Sequence, residues 1–191
     1  MTLDAVNAGI REMCERKYPG RRPVFGEGKA GCTVMLIGEA PGGQEEAQGR
    51  PFVGKAGKNL DEFLAMADIP REDVYITNVV KIRPIRISRT GTISNRAPAS
   101  AETGDFLPWL LEEIRAVDPS VVVTLGNTPL KALLGNGQTI GAVHGKTQSL
   151  EERRLYPLYH PASVIYDRSI RDVYAADVRS LGEVLREWNV L

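Results

Sequence analysis

Four residues of this sequence, three of them at the ends of short apolar stretches, have side chains suited to chemistry on a planar ring. Glu39 comes soon after the apolar run Thr33–Ile37, and a carboxylate there could hold or deprotonate a water molecule. Asn78 carries one acceptor and two donors, so it can recognise an amide edge in two directions. His160 can donate a hydrogen bond to an oxygen that gains negative charge. Phe52 offers a flat face for stacking, so together these groups could bind a ring and activate water beside it.

These side chains can act together only if the fold brings them to one place. Apolar patterning predicts strands and helices in alternation; the strands are Thr33–Ile37, Val74–Val80, Val121–Leu125 and Leu155–Leu158. The helices are Leu3–Arg16, Ala56–Ala67, Glu102–Val117, Pro129–Leu134 and Val173–Trp188. Strands that are apolar throughout and separated by helices indicate a parallel sheet covered on both faces. We therefore expect an α/β fold, with a four-stranded parallel sheet flanked by helices on both faces, in a single domain over residues 1–191.

The turn Gly38–Gly43 lies at the carboxyl end of the first strand, where open α/β sheets place their ligand crevices. Its proline fixes φ, and its glycines let the backbone turn or approach a ligand closely. Each functional interpretation has a structural alternative. The turn can be an ordinary one with a solvated acid, Asn78 can cap a strand end, His160 can be structural and Phe52 can belong to the core. Asn127 is expected to cap the helix that follows it.

The bulk composition is that of an ordinary globular protein. Charged residues make up 25% and apolar residues 42% of the 191 residues, and the net charge is zero. No apolar stretch approaches the length of a membrane span, and the first 16 residues lack the apolar core of a signal peptide. Cys14 and Cys32 are too few for a disulfide framework and are expected to be free thiols. These features predict a cytoplasmic protein with no membrane partner.

Basic residues are concentrated in one polar stretch, which is expected to form a loop over Ile85–Pro98. The segment from residue 81 to residue 96 contains five basic residues and no acid: Lys81, Arg83, Arg86, Arg89 and Arg96. A smaller cluster is formed by Arg16, Lys17, Arg21 and Arg22. Such clusters can neutralise phosphates, although a charge run can also be a solvated face. A nucleic-acid partner is therefore one of two interpretations of this stretch.

Five segments of the chain resemble, in the same order, the uracil-DNA glycosylases, and in particular the group called family 4. They are GEAPG (38–42), QGRPFVGKAG (48–57), REDVYITNVVK (71–81), VVVTLG (121–126) and YHPAS (159–163). The resemblance runs from about Val24 to the C-terminus. It implies a four-stranded parallel sheet flanked by helices, and hydrolysis of the N-glycosidic bond of deoxyuridine in DNA.

The resemblance also implies a role for each matching residue of the substrate site. Glu39 would orient water or act as general base, and His160 would donate a hydrogen bond to uracil O2. Phe52 would stack on the ring and Asn78 would read its edge. Glu45 would lie near uracil C5 and help to exclude thymine. Gly38 and Ala40 complete the expected substrate site.

Two further groups of residues are expected to contact DNA. The family's DNA-wedging loop follows its histidine, which implies Ser163, Val164 and Ile165 for that role. The basic stretch adds Lys81, Arg83 and Arg86. The expected partner is therefore DNA that contains uracil or another damaged base, bound by a monomer.

One departure from family 4 is large. Members of that group usually hold an iron–sulfur cluster with four cysteines, but only Cys14 matches, while Lys17, Ile82 and about Phe106 occupy the other positions. Such a cluster takes four thiolates, so we expect a relative with no cofactor and no metal site. The segment Ile85–Ser94 resembles an insertion whose basic residues would anchor DNA in place of the cluster region.

The main hypothesis is a monofunctional glycosylase that removes uracil from DNA in base excision repair. One alternative is a glycosylase for another deaminated base, such as hypoxanthine or xanthine. Another is a relative that binds damaged DNA without cleaving it. A nucleotide-binding role for GEAPGG is disfavoured, because the motif lacks the GxGxxG or Walker spacing and has an acid where phosphate would lie.

Overall fold

Helices and strands alternate along most of the chain. The computed structural model describes residues 1–190, with the side chains of residues 165, 166 and 168 excepted. The helices are α1 (Leu3–Lys17), α2 (Gly43–Gln48), α3 (Lys55–Met66), α4 (Ser100–Val117), α5 (Asn127–Leu134), α6 (Ile140–Val143), α7 (Ser163–Tyr166) and α8 (Arg171–Glu187). The strands are β1 (Val34–Gly38), β2 (Val74–Asn78), β3 (Ile85–Ile87), β4 (Ile93–Asn95), β5 (Val121–Leu125), β6 (Gln148–Leu150) and β7 (Arg153–Leu158).

The central sheet has five strands in the order β2-β1-β5-β7-β6. The first four strands in this order run parallel, which confirms the four strands expected from the apolar runs. β6 pairs antiparallel with β7 at the edge of the sheet and was not predicted. The sequence of β6, Gln148-Ser149-Leu150, has no apolar run, because none of its residues is fully buried. The sheet is therefore mixed, with one short antiparallel edge strand.

Both faces of the sheet are covered by helices, as expected. Every residue of β1 is buried, and its alternate side chains belong to two different clusters. Val34 and Leu36 pack in the cluster that includes residues of α3 and α8. Met35 and Ile37 pack in the cluster that includes residues of α1 and α4. This double burial explains why the central strands read as continuous apolar runs.

The basic stretch is a β-hairpin rather than the loop expected over Ile85–Pro98. β3 and β4 pair antiparallel, with Ile85 opposite Asn95 and Ile87 opposite Ile93. Each strand has only three residues and is largely exposed, so the apolar alternation of Ile85-Arg86-Ile87 is too short to identify a strand. In the turn, Gly91 has a φ of 80°, a left-handed conformation that suits glycine.

Within residues 1–190, no helix combines the length and the apolar character needed to cross a membrane.

Candidate active site

The carboxyl ends of the parallel strands meet at one edge of the sheet, which we call the catalytic edge. Gly38 at the end of β1 pairs with Asn78 at the end of β2, and Leu125 of β5 pairs with Leu158 of β7. β1 and β5 are neighbours, but the chain continues from β1 to β2 on one side of this pair and from β5 to β7 on the other. Open α/β sheets bind ligands at such a switch point. A cleft of about 380 Å³ opens there, and its lining includes Glu39, Ala40, Asn127, Tyr159, His160 and Ser163.

Asn78 and Phe52 converge on Gly38, although neither is among the residues that line the cleft. A Cβ atom on Gly38 would lie 2.4 Å from Asn78 Oδ1 and 2.6 Å from Phe52 Cζ. Both distances are shorter than any van der Waals contact, so a larger residue at position 38 would displace one of the two side chains. Asn78 is 3% exposed and Phe52 is 5% exposed. Glycine therefore lets the amide and the aromatic ring approach each other at the strand end.

The backbone holds Phe52 in an unusual conformation. Its φ is 53°, in the left-handed region that non-glycine residues rarely adopt. Gly57, in the first turn of α3, makes this possible, since a Cβ atom there would lie 1.9 Å from the carbonyl oxygen of Phe52. The Phe52 ring stacks beside the His160 ring, with 5.8 Å between centroids and 29° between planes. Such strain is characteristic of binding sites, where the surrounding structure fixes a side chain in place.

His160 is held as a neutral hydrogen-bond donor. Its Nδ1 accepts a hydrogen bond of 3.1 Å from the backbone N–H of Ala162, so the proton of the neutral ring is on Nε2. Burial of the ring lowers the pKa of His160 to about 4, and the carboxylate of Glu45 only partly opposes this effect. The loop is fixed by Asn59, whose Nδ2 donates 3.0 Å to the carbonyl of Pro161. At neutral pH the ring therefore presents an uncharged Nε2–H group.

Glu39 is oriented by a residue that the sequence did not point to. The hydroxyl of Thr128, in the first turn of α5, donates a hydrogen bond to Glu39 Oε2. This contact joins the loop after β1 to the first turn of α5. No local motif marks Thr128, because its partner is 89 positions away in the chain. The contact leaves Oε1 as an acceptor for water.

Asn127 does not cap α5, so the prediction of an N-cap was wrong. The N-cap position belongs to Gly126, whose φ of 95° favours glycine, and the helix begins at Asn127. The Asn127 Oδ1 atom instead accepts 2.8 Å from the backbone N–H of Ile140. Asn127 therefore ties the start of α6 to the cleft.

Glu45 connects two loops of the site. Its Oε2 accepts from the backbone N–H of Gly42 at 3.1 Å, and its Oε1 accepts from Val53 at 3.1 Å and Gly54 at 2.7 Å. The glycine turn is thereby fixed to the segment that carries Phe52. Glu45 lies in α2, a short helix that was not predicted. Its role against thymine stays a prediction.

Lys81 lies in the interior, so the expectation that it contacts DNA was wrong. Its side chain is fully buried, and its ammonium group forms an ion pair with the equally buried Glu113 of α4. It also donates 2.6 Å to Thr77 Oγ1 and 2.7 Å to the backbone carbonyl of Asn78. Burial lowers the pKa of Lys81, and the Glu113 carboxylate opposes this shift. Lys81 thus fixes the backbone of Asn78 and leaves the side-chain amide of Asn78 out of this network.

The other residues expected to contact DNA lie in different environments. Arg86 is exposed on β3, whereas Arg83 is partly buried and donates to Glu46 at 3.3 Å. Ser163 lines the cleft. Val164 packs into the core with 8% exposure, so it is not available to wedge DNA in this conformation. The side chain of Ile165 lies outside the described residues.

The residues at the family's cluster positions do not fit an iron–sulfur cluster. Cys14 is packed with Ile82 and Phe106 in the α1–α4 cluster, and all three are almost fully buried. The Tyr18 ring stacks on Phe106 at 5.8 Å, and Lys17 pairs with Asp105 at the surface. Burial raises the pKa of the Cys14 thiol to about 11, which disfavours the thiolate that a metal needs.

A metal site elsewhere finds no support in the part of the chain that the structure describes. No three His, Cys, Asp or Glu residues among those described are arranged around a common metal position. Cys32, the second cysteine, is a buried free thiol.

Comparison with known proteins agrees with the geometry. The sequence model of the uracil DNA glycosylase superfamily matches residues 25–180. A Type-4 uracil-DNA glycosylase of Archaeoglobus fulgidus is 36% identical, over 95% of this chain and 94% of the relative. One of Thermotoga maritima is 35% identical, over 86% of this chain and 83% of the relative. A Type-5 uracil-DNA glycosylase of Pyrobaculum aerophilum is 32% identical, over 86% of this chain and 74% of the relative.

Proposed function

The chain belongs to the uracil-DNA glycosylase superfamily, and we propose that it hydrolyses the N-glycosidic bond of deoxyuridine in DNA as a monofunctional glycosylase of base excision repair. One observation carries most weight. The side-chain amide of Asn78 is buried beside the Phe52 ring; among the described residues, Lys81 donates to the backbone carbonyl of Asn78, and no hydrogen bond to the side-chain amide is found. A buried polar group is normally paired, so a ligand that pairs with this amide is favoured.

Uracil has the edge that such an amide recognises. Inside a duplex the base is out of reach, so the nucleotide must be flipped into the cleft at a cost of a few kcal/mol. Its O4 accepts and its N3–H donates, and one orientation of the Asn78 amide matches both. The edge of cytosine is reversed, so it would leave buried polar groups unpaired. Mismatches of this kind discriminate between substrates by factors of about 10⁴–10⁵.

Bond cleavage requires stabilisation of charge at both ends of the breaking bond. Negative charge develops on uracil O2, where the Nε2–H group of His160 can donate a hydrogen bond without first being protonated. Positive charge develops on the sugar, and the carboxylate of Glu39 favours it. Glu39 also orients the attacking water, while Thr128 fixes one of its oxygens. Loss of one preorganised donor such as His160 typically lowers the rate about 10²–10³-fold.

The test uses end-labelled oligonucleotides that contain one uracil, one hypoxanthine or one xanthine, treated with enzyme and then with alkali. We expect strand cleavage at uracil, and strong loss of it in Asn78→Ala and His160→Ala variants that remain folded. Cleavage only at a purine would overturn the proposal in favour of a glycosylase for another deaminated base. Binding without cleavage would assign the chain to non-cleaving proteins that bind damaged DNA.

We also propose that the chain acts as a single domain and as a monomer in the cytoplasm. Its two cysteines, Cys14 and Cys32, are buried free thiols, which agrees with a reducing compartment. Light scattering during size-exclusion chromatography, with and without uracil-containing DNA, tests the monomer; a dimer in both states would contradict it.

A further inference from the structure

We propose that the β3–β4 hairpin is a DNA-contacting arm. In this proposal Arg86 and Arg89 contact phosphates, while Ile87 and Ile93 pack against sugars or base faces next to the flipped nucleotide. The inference rests on the proposed function, because it takes DNA to be the substrate of the adjacent cleft. Four features of the hairpin support it: an exposed apolar pair, unpaired arginines, a rigid mounting and a position beside the site.

The apolar pair is unusual for a surface element. Ile87 is 63% exposed and Ile93 is 54% exposed, and they lie directly opposite each other across the two strands. Cross-strand neighbours have Cβ atoms about 5 Å apart, so the two side chains form one continuous apolar patch. Exposed isoleucine patches of this kind usually mark an interaction surface when other features of the region agree.

The positive charge around this patch indicates a polyanionic partner. Arg86 and Arg89 are exposed, and no Asp or Glu occurs from Lys81 to Ala101. Within the described part of the chain, neither arginine is in an ion pair, whereas Arg83 and Arg96 both are. Arg86 precedes Ile87 in β3, so its side chain lies on the face of the hairpin opposite the apolar pair, and Arg89 lies in the turn. A hairpin with positive charge on one face and at its tip, and an apolar pair on the other face, complements a strand of DNA, which presents both phosphates and apolar sugar and base surfaces.

The hairpin is mounted rigidly at both sides of its base. Arg96 pairs with Glu102 of α4 through two hydrogen bonds of 2.6 and 2.7 Å and also donates 3.1 Å to the carbonyl of Ile85. Arg83 donates 2.7 Å to Asn95 and, on its other side, reaches Glu46 of α2. An isolated two-stranded hairpin is marginally stable, so these contacts hold the arm in place. A surface ordered before binding loses less entropy when its ligand arrives.

The base of the arm lies against the turn that carries Glu39. Asn95 Nδ2 would be 3.4 Å from a Cβ atom on Gly42, and the guanidinium of Arg83 would be 3.1 Å from one on Gly43. DNA that inserts a nucleotide into the cleft must therefore pass close to the hairpin. This position, together with the free arginines, favours DNA over a protein partner as the occupant.

Salt dependence separates the two kinds of contact that the arm would make. Binding to duplex DNA with a single abasic site, the product of the reaction, is measured between 50 and 200 mM salt. Two lost phosphate contacts reduce the slope of log affinity against log salt by about 2, so the affinity of Arg86→Gln/Arg89→Gln falls about tenfold less over this range than that of wild type. Ile87→Thr/Ile93→Thr keeps β-branched side chains, and we expect it to lose affinity several-fold at every salt concentration with an unchanged slope.

Control substitutions are placed far from the catalytic edge, near the amino ends of the parallel strands. Arg115 and Leu111 are exposed near the C-terminal end of α4, which leads into the start of β5. Arg115→Gln and Leu111→Gln should leave both affinity and slope at wild-type values. Thermal unfolding of all variants verifies that each is folded.

The outcomes distinguish the arm from the proposed function. If wild type excises uracil but the arm variants bind DNA with the wild-type slope and affinity, the proposal that the hairpin contacts DNA is wrong and the proposed function stands. If wild type does not excise uracil but the slope of log affinity against log salt is less steep in the arginine variant, the hairpin contacts DNA as proposed and the proposed function is wrong. An effect of the isoleucine variant on oligomeric state, with DNA affinity unchanged, would indicate a protein interface and overturn the arm.

Discussion

The catalytic edge and the α1–α4 face of the same sheet differ in how strongly they constrain their residues. At the catalytic edge, individual atoms matter: Gly38 has no room for a Cβ atom, Phe52 has a left-handed backbone, and His160 is held in one tautomer. On the α1–α4 face, Cys14 and Phe106 contribute apolar volume to a packed cluster. The family's cluster ligands can therefore be absent here while the site geometry is retained, because packing needs volume and catalysis needs specific groups.

The Lys81–Glu113 pair connects the two regions. Glu113 belongs to α4, which packs on α1, and Lys81 donates to the carbonyl of Asn78 at the catalytic edge. A change in this pair should therefore affect both stability and base recognition. Changes elsewhere should affect only one of the two properties.

The largest effect on stability is expected on the α1–α4 face. Phe106→Ala removes a fully buried ring that stacks on Tyr18, and we expect the free energy of unfolding to fall by about 3–5 kcal/mol. The single-turnover rate of the molecules that remain folded should stay at the wild-type value. Urea unfolding measures the free energy of unfolding. Excision assays at a temperature where the variant is folded measure the single-turnover rate. A rate loss in folded protein would remove the distinction between the two regions.

The buried ion pair should show a mixed effect. Lys81→Met leaves the Glu113 carboxylate buried without its cation, and we expect a loss of about 3–5 kcal/mol in the free energy of unfolding. In Lys81→Met/Glu113→Leu, where the pair is replaced by apolar groups, stability should return in part, because the buried hydroxyls of Tyr75 and Thr77 lose Glu113 as their acceptor. Excision should remain slow in both variants, because the hydrogen bond to the Asn78 carbonyl is lost. Recovery of the wild-type rate in the double variant would show that Lys81 does not position Asn78.

At the catalytic edge, Thr128→Val should slow the reaction without destabilising the fold. It removes the hydroxyl that orients Glu39 and keeps the shape of the side chain. Because the hydroxyl preorganises the carboxylate that stabilises charge in the transition state, we expect kcat to fall about tenfold or more, with KM unchanged. Thr128→Ser, which keeps the hydroxyl, serves as the control and should restore most of the rate. A rise in KM with unchanged kcat would instead mean that Thr128 acts in substrate binding.

The smallest effect is a dependence of stability on pH. The pKa of His160 is lowered to about 4 by burial, whereas an unfolded histidine has a pKa of about 6.5. Between these values only the unfolded chain binds the proton, so the stability contributed by the neutral ring is present above pH 6.5 and is lost as the pH falls toward 4. Glu45, the carboxylate that opposes the shift, remains in the control variant His160→Gln.

Urea unfolding at pH 7.5 and at pH 5 measures this difference. Wild type should lose more stability than His160→Gln when the pH is lowered. Equal losses in the two proteins would mean that the ring titrates at its ordinary pKa and is not held neutral by the site.

The sequence predicted the parallel strands and the convergence at their ends, because both follow from local pattern. Buried strands are continuous apolar runs, and Glu39, Asn78 and His160 lie at or within two residues of their carboxyl ends. It did not predict the burial of Lys81, because the compensating Glu113 is 32 positions away on another element. Thr128 was missed for the same reason, since its partner Glu39 is 89 positions away. The pair of Arg96 with Glu102 is only six positions apart, but it was missed because Arg96 lies outside α4, where no helical spacing predicts the contact. The edge strand β6 was missed because it is short and only partly buried.

The most direct test of the account quantifies free uracil released from a single-uracil oligonucleotide under single-turnover conditions. Wild type, His160→Ala and Phe106→Leu are compared, each corrected for the fraction that is folded. We expect wild type to release uracil, His160→Ala to be slower by about 10²–10³-fold, and Phe106→Leu to match wild type. No uracil from wild type, or an equal slowing in both variants, would contradict the account.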